Sequence, residues 1–298
     1  MSTKQKIVIT GGAGFVGSHL SRALIEKGFT VHIIDNLISG NKSNLHQQAI
    51  FHKVDIRDYK KILPILSGAS FVFHLAALPN VEYSIQNPEI SHDTNVNGTL
   101  NVYRAATEAK VRKVIFASSC SVYGNYSKKM HEKLTPKPQS PYALHKLIGE
   151  QYAKLWFDLY KLNIACLRFF NIYGPGQRDT GPYAFVIAIF LKLKSLGKPL
   201  TITGNGQQTR DFIHISDVVS ACIKAMKAQT IPGQAINIGS GKEMSVNKIA
   251  KMIGGPIVHL PKRIEPPRAL ADNSLAFKLL NWKPSISPKK GIEELLFL

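Results

Sequence analysis

Residues 6–28 read KIVITGGAGFVGSHLSRALIEKG, and this stretch decides the fold. Lys6-Ile7-Val8-Ile9-Thr10 is an apolar, β-branched run without polar alternation, the pattern of a strand buried on both faces. It breaks into Gly11-Gly12-Ala13-Gly14-Phe15-Val16-Gly17 and then into an amphipathic helical pattern over about 14–28. Glycines at 11, 14 and 17 remove side chains that would keep backbone N–H groups from a pyrophosphate or hold the helix off the strand. The helix N-terminus adds partial positive charge. Glycine triplets are common in turns, but this one follows a strand, opens a helix, and is followed at the end of the next apolar run by Asp35. A carboxylate there accepts hydrogen bonds from both ribose hydroxyls and repels a 2′-phosphate, so the segment reads as a dinucleotide site that favours NAD over NADP.

The same rhythm continues outward. Apolar runs TVHIID (30–35), AIFHKVD (49–55), SFVFHLAA (70–77), KVIFASS (113–119) and NIACLRFFN (163–171) alternate with helical patterns at about 58–67, 88–109 and 142–161. This β-α repetition predicts an α/β fold with a doubly wound parallel sheet of the Rossmann type and right-handed crossovers. After Asn171 the rhythm changes. YGPGQRDTGP (173–182) reads as loop, followed by a helix (183–196), a turn (203–209), a strand (210–215), a helix (216–228) and a strand (234–240). A helix near 245–253, Pro-rich turns (256–267) and two short helices complete the chain. The expected organisation is a nucleotide-binding domain over 1–175, to which the chain returns at about 213–240, and a smaller interleaved α/β substrate lobe over 176–298.

Composition narrows the function classes. With 298 residues and 44% hydrophobic content, one large α/β unit or two intimate lobes is expected. No run of about 18 apolar residues is present, so no membrane span is encoded. Cys120, Cys166 and Cys222 are widely spaced and show no metal-binding pattern; with the absence of a signal-peptide pattern, they suggest reduced thiols in a cytoplasmic protein. The net charge of +19 suits nucleic-acid binding or a lysine-rich solvated surface around a site for an anionic ligand. The lysines are scattered rather than arrayed on one helix between aromatics, which favours the second reading and no nucleic-acid partner.

A second constellation carries the chemistry. Tyr142 and Lys146, in SPYALHKLIGE, stand four apart at the start of a helix and share one face. A phenol, with a reference pKa of about 10, is a poor base until a nearby ammonium and a positive nicotinamide favour the phenolate. Tyr-x-x-x-Lys is frequent by chance. Here it follows a strand that ends in Ser118-Ser119-Cys120-Ser121-Val122-Tyr123-Gly124, and in a doubly wound sheet ligands sit at strand C-termini. Ser119 can therefore point into the same crevice and hold a substrate oxygen.

These motifs, with HLAA (74–77), NVNGT (95–99), RFFNIYGP (168–175) and GNGQQTRDFIHISD (204–217), occur in the order found in the extended short-chain dehydrogenase/reductases. Nearly the whole chain resembles that family, and within it the UDP-glucose and UDP-N-acetylglucosamine 4-epimerase group most. The resemblance implies a catalytic set of Ser119, Tyr142 and Lys146. It implies an NAD site from Gly11, Gly14, Phe15, Val16, Gly17, Asp35, Asn36, Asp55, Ile56, Leu75, Ala76, Ala77 and Asn95, with Tyr142 and Lys146. Ser84, Ser119, Asn171, Arg210 and an arginine at 263 or 268 would hold a UDP-sugar, and Ala269, two before Ala271-Asp272, would face the sugar's C2 substituent. A homodimer through helices 88–109 and 142–161 is also implied, the second carrying Leu147, Tyr152, Leu155, Trp156 and Leu159.

The resemblance also separates reactions. Sugar 4,6-dehydratases carry Asp-Glu, and uronate decarboxylases a Glu, where this chain has Cys120 and Ser121. GDP-fucose synthases use a cysteine near Cys120 but take NADPH, which Asp35 disfavours. Epimerisation through a transient 4-keto sugar is the simplest chemistry left; another nucleotide-sugar-modifying activity and a non-catalytic NAD-binding protein are the alternatives. The stretch between Arg263 and Ala271-Asp272 is one residue shorter than the family pattern and lacks its glycine, so Arg263 or Arg268 is left to serve the diphosphate.

Overall fold

The computed structural model describes residues 5–179, 185–261 and 267–297. Its centre is a parallel sheet of seven strands: β1 (Lys6–Thr10), β2 (Thr30–Ile34), β3 (Ile50–His52), β4 (Phe71–His74), β5 (Lys113–Ser119), β6 (Ile164–Phe169) and a late return, Pro232–Ile238. The remaining strands in chain order are β7 (Asn171–Tyr173), β8 (Leu200–Thr203) and β9 (Thr209–His214). The late return is β10, followed by β11 (Glu243–Ser245), β12 (Ile257–Leu260) and β13 (Arg268–Ala269). The large sheet runs β3-β2-β1-β4-β5-β6-β10. Strand order therefore reverses between β1 and β4, and a crevice opens there above the strand ends.

Helices cover both faces, as the continuous apolar runs require. In chain order they are α1 (Phe15–Glu26), α2 (Tyr59–Leu66), α3 (Val81–Gln86), α4 (Pro88–His92), α5 (Gly98–Glu108), α6 (Pro141–Tyr160), α7 (Val186–Ser195), α8 (Ile215–Lys227), α9 (Val246–Ile253), α10 (Ser274–Leu280) and α11 (Pro288–Leu295). One face is built from Leu20 and Leu24 of α1, Val218 and Cys222 of α8, and Trp282, packed on Ile7, Ile9 and Ile33. The other is built from Ile62, Val102, Tyr103 and Trp156 of α2, α5 and α6, packed on Val8, Val72 and Val114. Burying a Leu, Ile or Val side chain contributes about 1.5–3 kcal/mol, so these two layers dominate the favourable side of folding.

The second half makes its own smaller core. β9 pairs with β7 and β13 in parallel and with β11 antiparallel, and β8 pairs with β12. Ile187, Phe190, Leu200, Ile202, Ile249 and Ile253 fill the space between these strands and α7 and α9.

Three local expectations need correction. The single helix over 88–109 is broken: a π-helical turn, Asp93–Asn97, joins α4 to α5. The run 163–171 divides at Phe170; β6 stays in the large sheet and β7 crosses to the small one. The segment 256–267 is not all turn, because Ile257–Leu260 pairs residue for residue with Leu200–Thr203.

Candidate active site

The glycine turn sits at the reversal of strand order. Gly11 takes φ +74°, a left-handed conformation that disfavours any side chain, and a Cβ there would lie 2.6 Å from the Ala76 amide nitrogen. A Cβ on Gly17 would lie 2.2 Å from the Gly11 carbonyl oxygen, so α1 can approach β1 only as glycine allows. Gly14 is the N-cap of α1 and supplies no side-chain cap, leaving the first-turn amides to an outside anion. Gly11, Gly14, Phe15, Val16 and Gly17 all line a cavity of about 570 Å³.

Asp35 and Asn36 line the same cavity beyond the end of β2. The Asp35 carboxylate accepts from the Ala13 amide (3.0 Å) and the Leu37 amide (2.8 Å). Burial raises its pKa, and those two amides oppose the rise. The cavity wall continues through Ile56, Leu75, Ala76 and Ala77. This wall is held from behind by a buried relay that the sequence reading passed over. Thr10 Oγ1 contacts His74 Nδ1 (2.8 Å), His74 Nε2 contacts Thr99 Oγ1 (3.0 Å), and the Ala76 amide donates to Thr10 Oγ1 (3.3 Å). Open glycines, an uncapped helix terminus and a carboxylate at the next strand end fit the pyrophosphate and adenosine ribose of NAD.

The reacting groups lie across the cavity. Ser140 caps α6, its side chain accepting from the Ala143 amide, and Pro141 occupies the first helical position, which fixes Tyr142 in the first turn. Ser119 ends β5, accepting from the Ser121 amide (3.2 Å) and hydroxyl (2.9 Å) and hydrogen-bonding the Tyr142 phenol. Burial pushes the Tyr142 phenol up to about 12, against the pull of Ser119. Lys146 donates to the Ala117 carbonyl (2.7 Å), and its Nζ lies 5.8 Å from the Tyr142 ring centroid. Burial pulls the Lys146 ammonium down to about 7, with Glu150, one turn further along α6, opposing. Ser119, Tyr142, Lys146, Cys120, Phe170 and Asn171 share this part of the wall.

Other expected residues stand behind the wall rather than on it. Ser84 is fully buried and does not line the cavity; its hydroxyl donates to the Val81 carbonyl (2.6 Å) and accepts from the Tyr142 amide (3.1 Å), so it positions the tyrosine. Asn95 grips both the amide (2.8 Å) and carbonyl (3.1 Å) of Leu78, because the π-helical turn aims it inward. Asp55 is held by Arg57 and Asn36; burial would raise its pKa, but these partners bring it down to about 2. Asn36 thus links it to the cavity that Asp55 itself does not line.

The expected diphosphate arginines divide. The Arg268 guanidinium makes a two-pronged pair with Glu243 (2.8 and 2.7 Å) and donates to the Ser127 carbonyl (2.7 Å), which uses its fork away from the cavity. Arg210, on β9, donates to the Thr209 carbonyl (2.9 Å), and its charge reaches Cys120 on the cavity wall, where it pulls against the burial that raises the thiol. Arg263 lies outside the described residues. Ala269 pairs with Arg210 in register and is buried with Val122, Tyr123, Met130 and Phe170, one layer behind the wall. It therefore does not face the cavity as the count from Ala271-Asp272 predicts.

Comparison with known proteins agrees with this geometry. The model of the NAD dependent epimerase/dehydratase family matches residues 7–239. A putative UDP-glucose 4-epimerase of Methanocaldococcus jannaschii is 39% identical, with 97% of each chain covered. A UDP-N-acetyl-alpha-D-glucosaminuronate decarboxylase of Bacillus cytotoxicus is 35% identical over 98% of this chain and 96% of its own. Among solved structures, the UDP-glucose 4-epimerase of Thermotoga maritima with UDP-glucose superimposes with a TM-score of 0.94 at 33% identity, covering 98% of both chains. The UDP-N-acetylglucosamine 4-epimerase of Methanobrevibacter ruminantium, in complex with UDP-N-acetylmuramic acid, gives 0.93 at 34% identity over 99% of this chain and 97% of that one. A glycine cradle, an acidic strand end and a Ser-Tyr-Lys set in one cavity, together with a family match across most of the chain, lead to one identification: the chain belongs to the NAD-dependent epimerase/dehydratase family, and its cofactor is NAD.

Proposed function

We propose that the protein interconverts the C4 epimers of a UDP-hexose, UDP-glucose with UDP-galactose and also the N-acetylated pair. The observation that carries this reading is the composition of the cavity wall. Ser119, Tyr142 and Lys146 meet there, and among the described lining residues the one carboxylate is Asp35, whose oxygens are engaged by backbone amides on the cofactor side. Elimination of water from a sugar needs a placed acid and base. Burial pushes the Cys120 thiol up to about 12, and Ser121 donates its hydroxyl to Ser119. Neither can serve.

NAD, when bound, supplies reversible two-electron oxidation at the sugar's C4 carbon. The protein moves the proton. Ser119 holds the C4 hydroxyl, Tyr142 takes its proton, and Lys146 stabilises the phenolate electrostatically. In the return, Tyr142 gives the proton back to the C4 oxygen after the keto sugar has turned over between the walls. The residues of the large sheet hold most of the cofactor in this reading, and the smaller lobe completes the substrate side.

The test is product identification by NMR after incubation with UDP-glucose, UDP-N-acetylglucosamine, their uronates and dTDP-glucose. Epimers of UDP-glucose and UDP-N-acetylglucosamine are expected. Turnover of the uronates alone, or a 4-keto-6-deoxy product, would overturn the assignment.

A further inference from the structure

We propose that Arg178 is a cofactor-binding residue that straps NAD into its cleft. Its guanidinium Nη2 donates to the Ser39 carbonyl at 2.9 Å, a contact between residues 139 apart in the chain. Ser39 lies just beyond Asp35, on the adenosine side of the cavity, and Arg178 belongs to the loop that follows β7. Both line the cavity, along with Gly14, Phe15, Asn36 and Asn41, so the contact ties its two walls together.

The base of this loop is fixed, so Arg178 reaches across from a firm anchor. Pro175 offers its carbonyl to His19 Nε2 (2.9 Å) on α1, the helix whose N-terminus faces the pyrophosphate. Gln177 donates through Nε2 to the Ile172 carbonyl (2.8 Å). A Cβ on Gly174 would lie 2.4 Å from Ile215, so the loop is seated closely on the start of α8.

Charge points the same way. NAD brings two phosphate charges into the cleft, and a guanidinium fork matches phosphate oxygens. Among the described lining residues the cations are Lys146 and Arg178. Lys146 is engaged at the reacting end with Ala117 and Tyr142. Arg178 is thus the cation on the wall at the phosphate and adenosine end, and NAD leaves only when it lets go of Ser39. Slow release suits a reaction that returns its electrons to the same sugar, and it would hinder an enzyme that must exchange cofactor every turnover. The inference rests on NAD binding, and not on the choice of sugar or reaction.

The experiment measures NAD release from loaded protein by displacement with a fluorescent NAD analogue, and UDP affinity by calorimetry, for wild type, Arg178→Ala and Arg178→Lys. Loss of a charge-assisted hydrogen bond predicts about tenfold or faster NAD release from Arg178→Ala, with Arg178→Lys between it and wild type. UDP affinity is expected to change by less than about twofold. Release from either variant at the wild-type rate overturns the proposal, and so does a loss confined to UDP, which would make Arg178 a substrate residue. Where Arg178→Ala does not fold, Arg178→Lys decides alone. Failure of wild type to bind NAD at all would instead refute the cofactor assignment.

Discussion

Tyr142 and Lys146 lie side by side on the cavity wall, and treating them as one proton-accepting pair gives a pH prediction. The pair can accept a proton from the sugar only after losing one of its own. With burial holding the phenol up at about 12 and pulling the ammonium down to about 7, that loss falls near neutrality. The rate, kcat/KM, should therefore fall as pH drops below about 7 and level off above it. A profile flat from pH 5 to 8 would exclude the pair as base. Tyr142→Phe should lower kcat by about 10²–10⁴-fold with NAD binding retained, and Ser119→Ala should cost less, since it removes a hydrogen bond and not the acceptor. This triplet was legible because its signals are local: a spacing of four on a helix and a serine ending a strand. Arg178 and the arginines were not. What Arg210 and Arg268 touch is set by β9 and by Glu243 on β11, and a contact such as Arg178 to Ser39 leaves no trace in sequence spacing.

At the scale of elements, β4 shows how a strand end supports the cofactor wall. His74 is enclosed between Thr10 and Thr99, and burial lowers its pKa from 6.5 to about 3. The unfolded chain binds a proton at about pH 6.5 that the folded chain refuses until about 3. The contribution of this group is therefore complete above 6.5 and is lost as pH falls through that window, on the order of a few kcal/mol. Denaturant titrations at pH 7 and pH 4 should show a smaller loss on acidification for His74→Asn than for wild type; equal losses would refute the buried-neutral reading. The strands of the large sheet were legible because burial on both faces leaves unbroken apolar runs. β12 was not, since its four residues are all exposed and its short run lies between Pro256 and Pro261, which read as turn. The π-helical turn was invisible for a different reason. Its extra residue serves the grip of Asn95 on Leu78, a tertiary demand that overrides local periodicity.

At the scale of the molecule, the outer surface of α6 is unusually apolar for a chain of net charge +19. Trp156 turns inward against Tyr103, whereas Leu144, Leu155, Leu159 and Tyr160 are exposed, and Ile90 of α4 is exposed as well. Scattered exposed leucines are ordinary, but several on one helix mark a surface that gains by burial against another. We expect a two-fold homodimer in which α5 and α6 pack on their counterparts, a self-complementary arrangement because each copy presents the same face. The lysine-rich remainder of the surface disfavours larger assemblies through mutual repulsion. Light scattering at micromolar concentration should give twice the chain mass of 32.9 kDa. The double variant Leu155→Glu, Leu159→Glu should give the monomer mass with an unchanged far-ultraviolet circular dichroism spectrum, because neither side chain belongs to the core of the large sheet. A wild-type monomer, or a double variant that remains dimeric, would place the interface elsewhere or remove it.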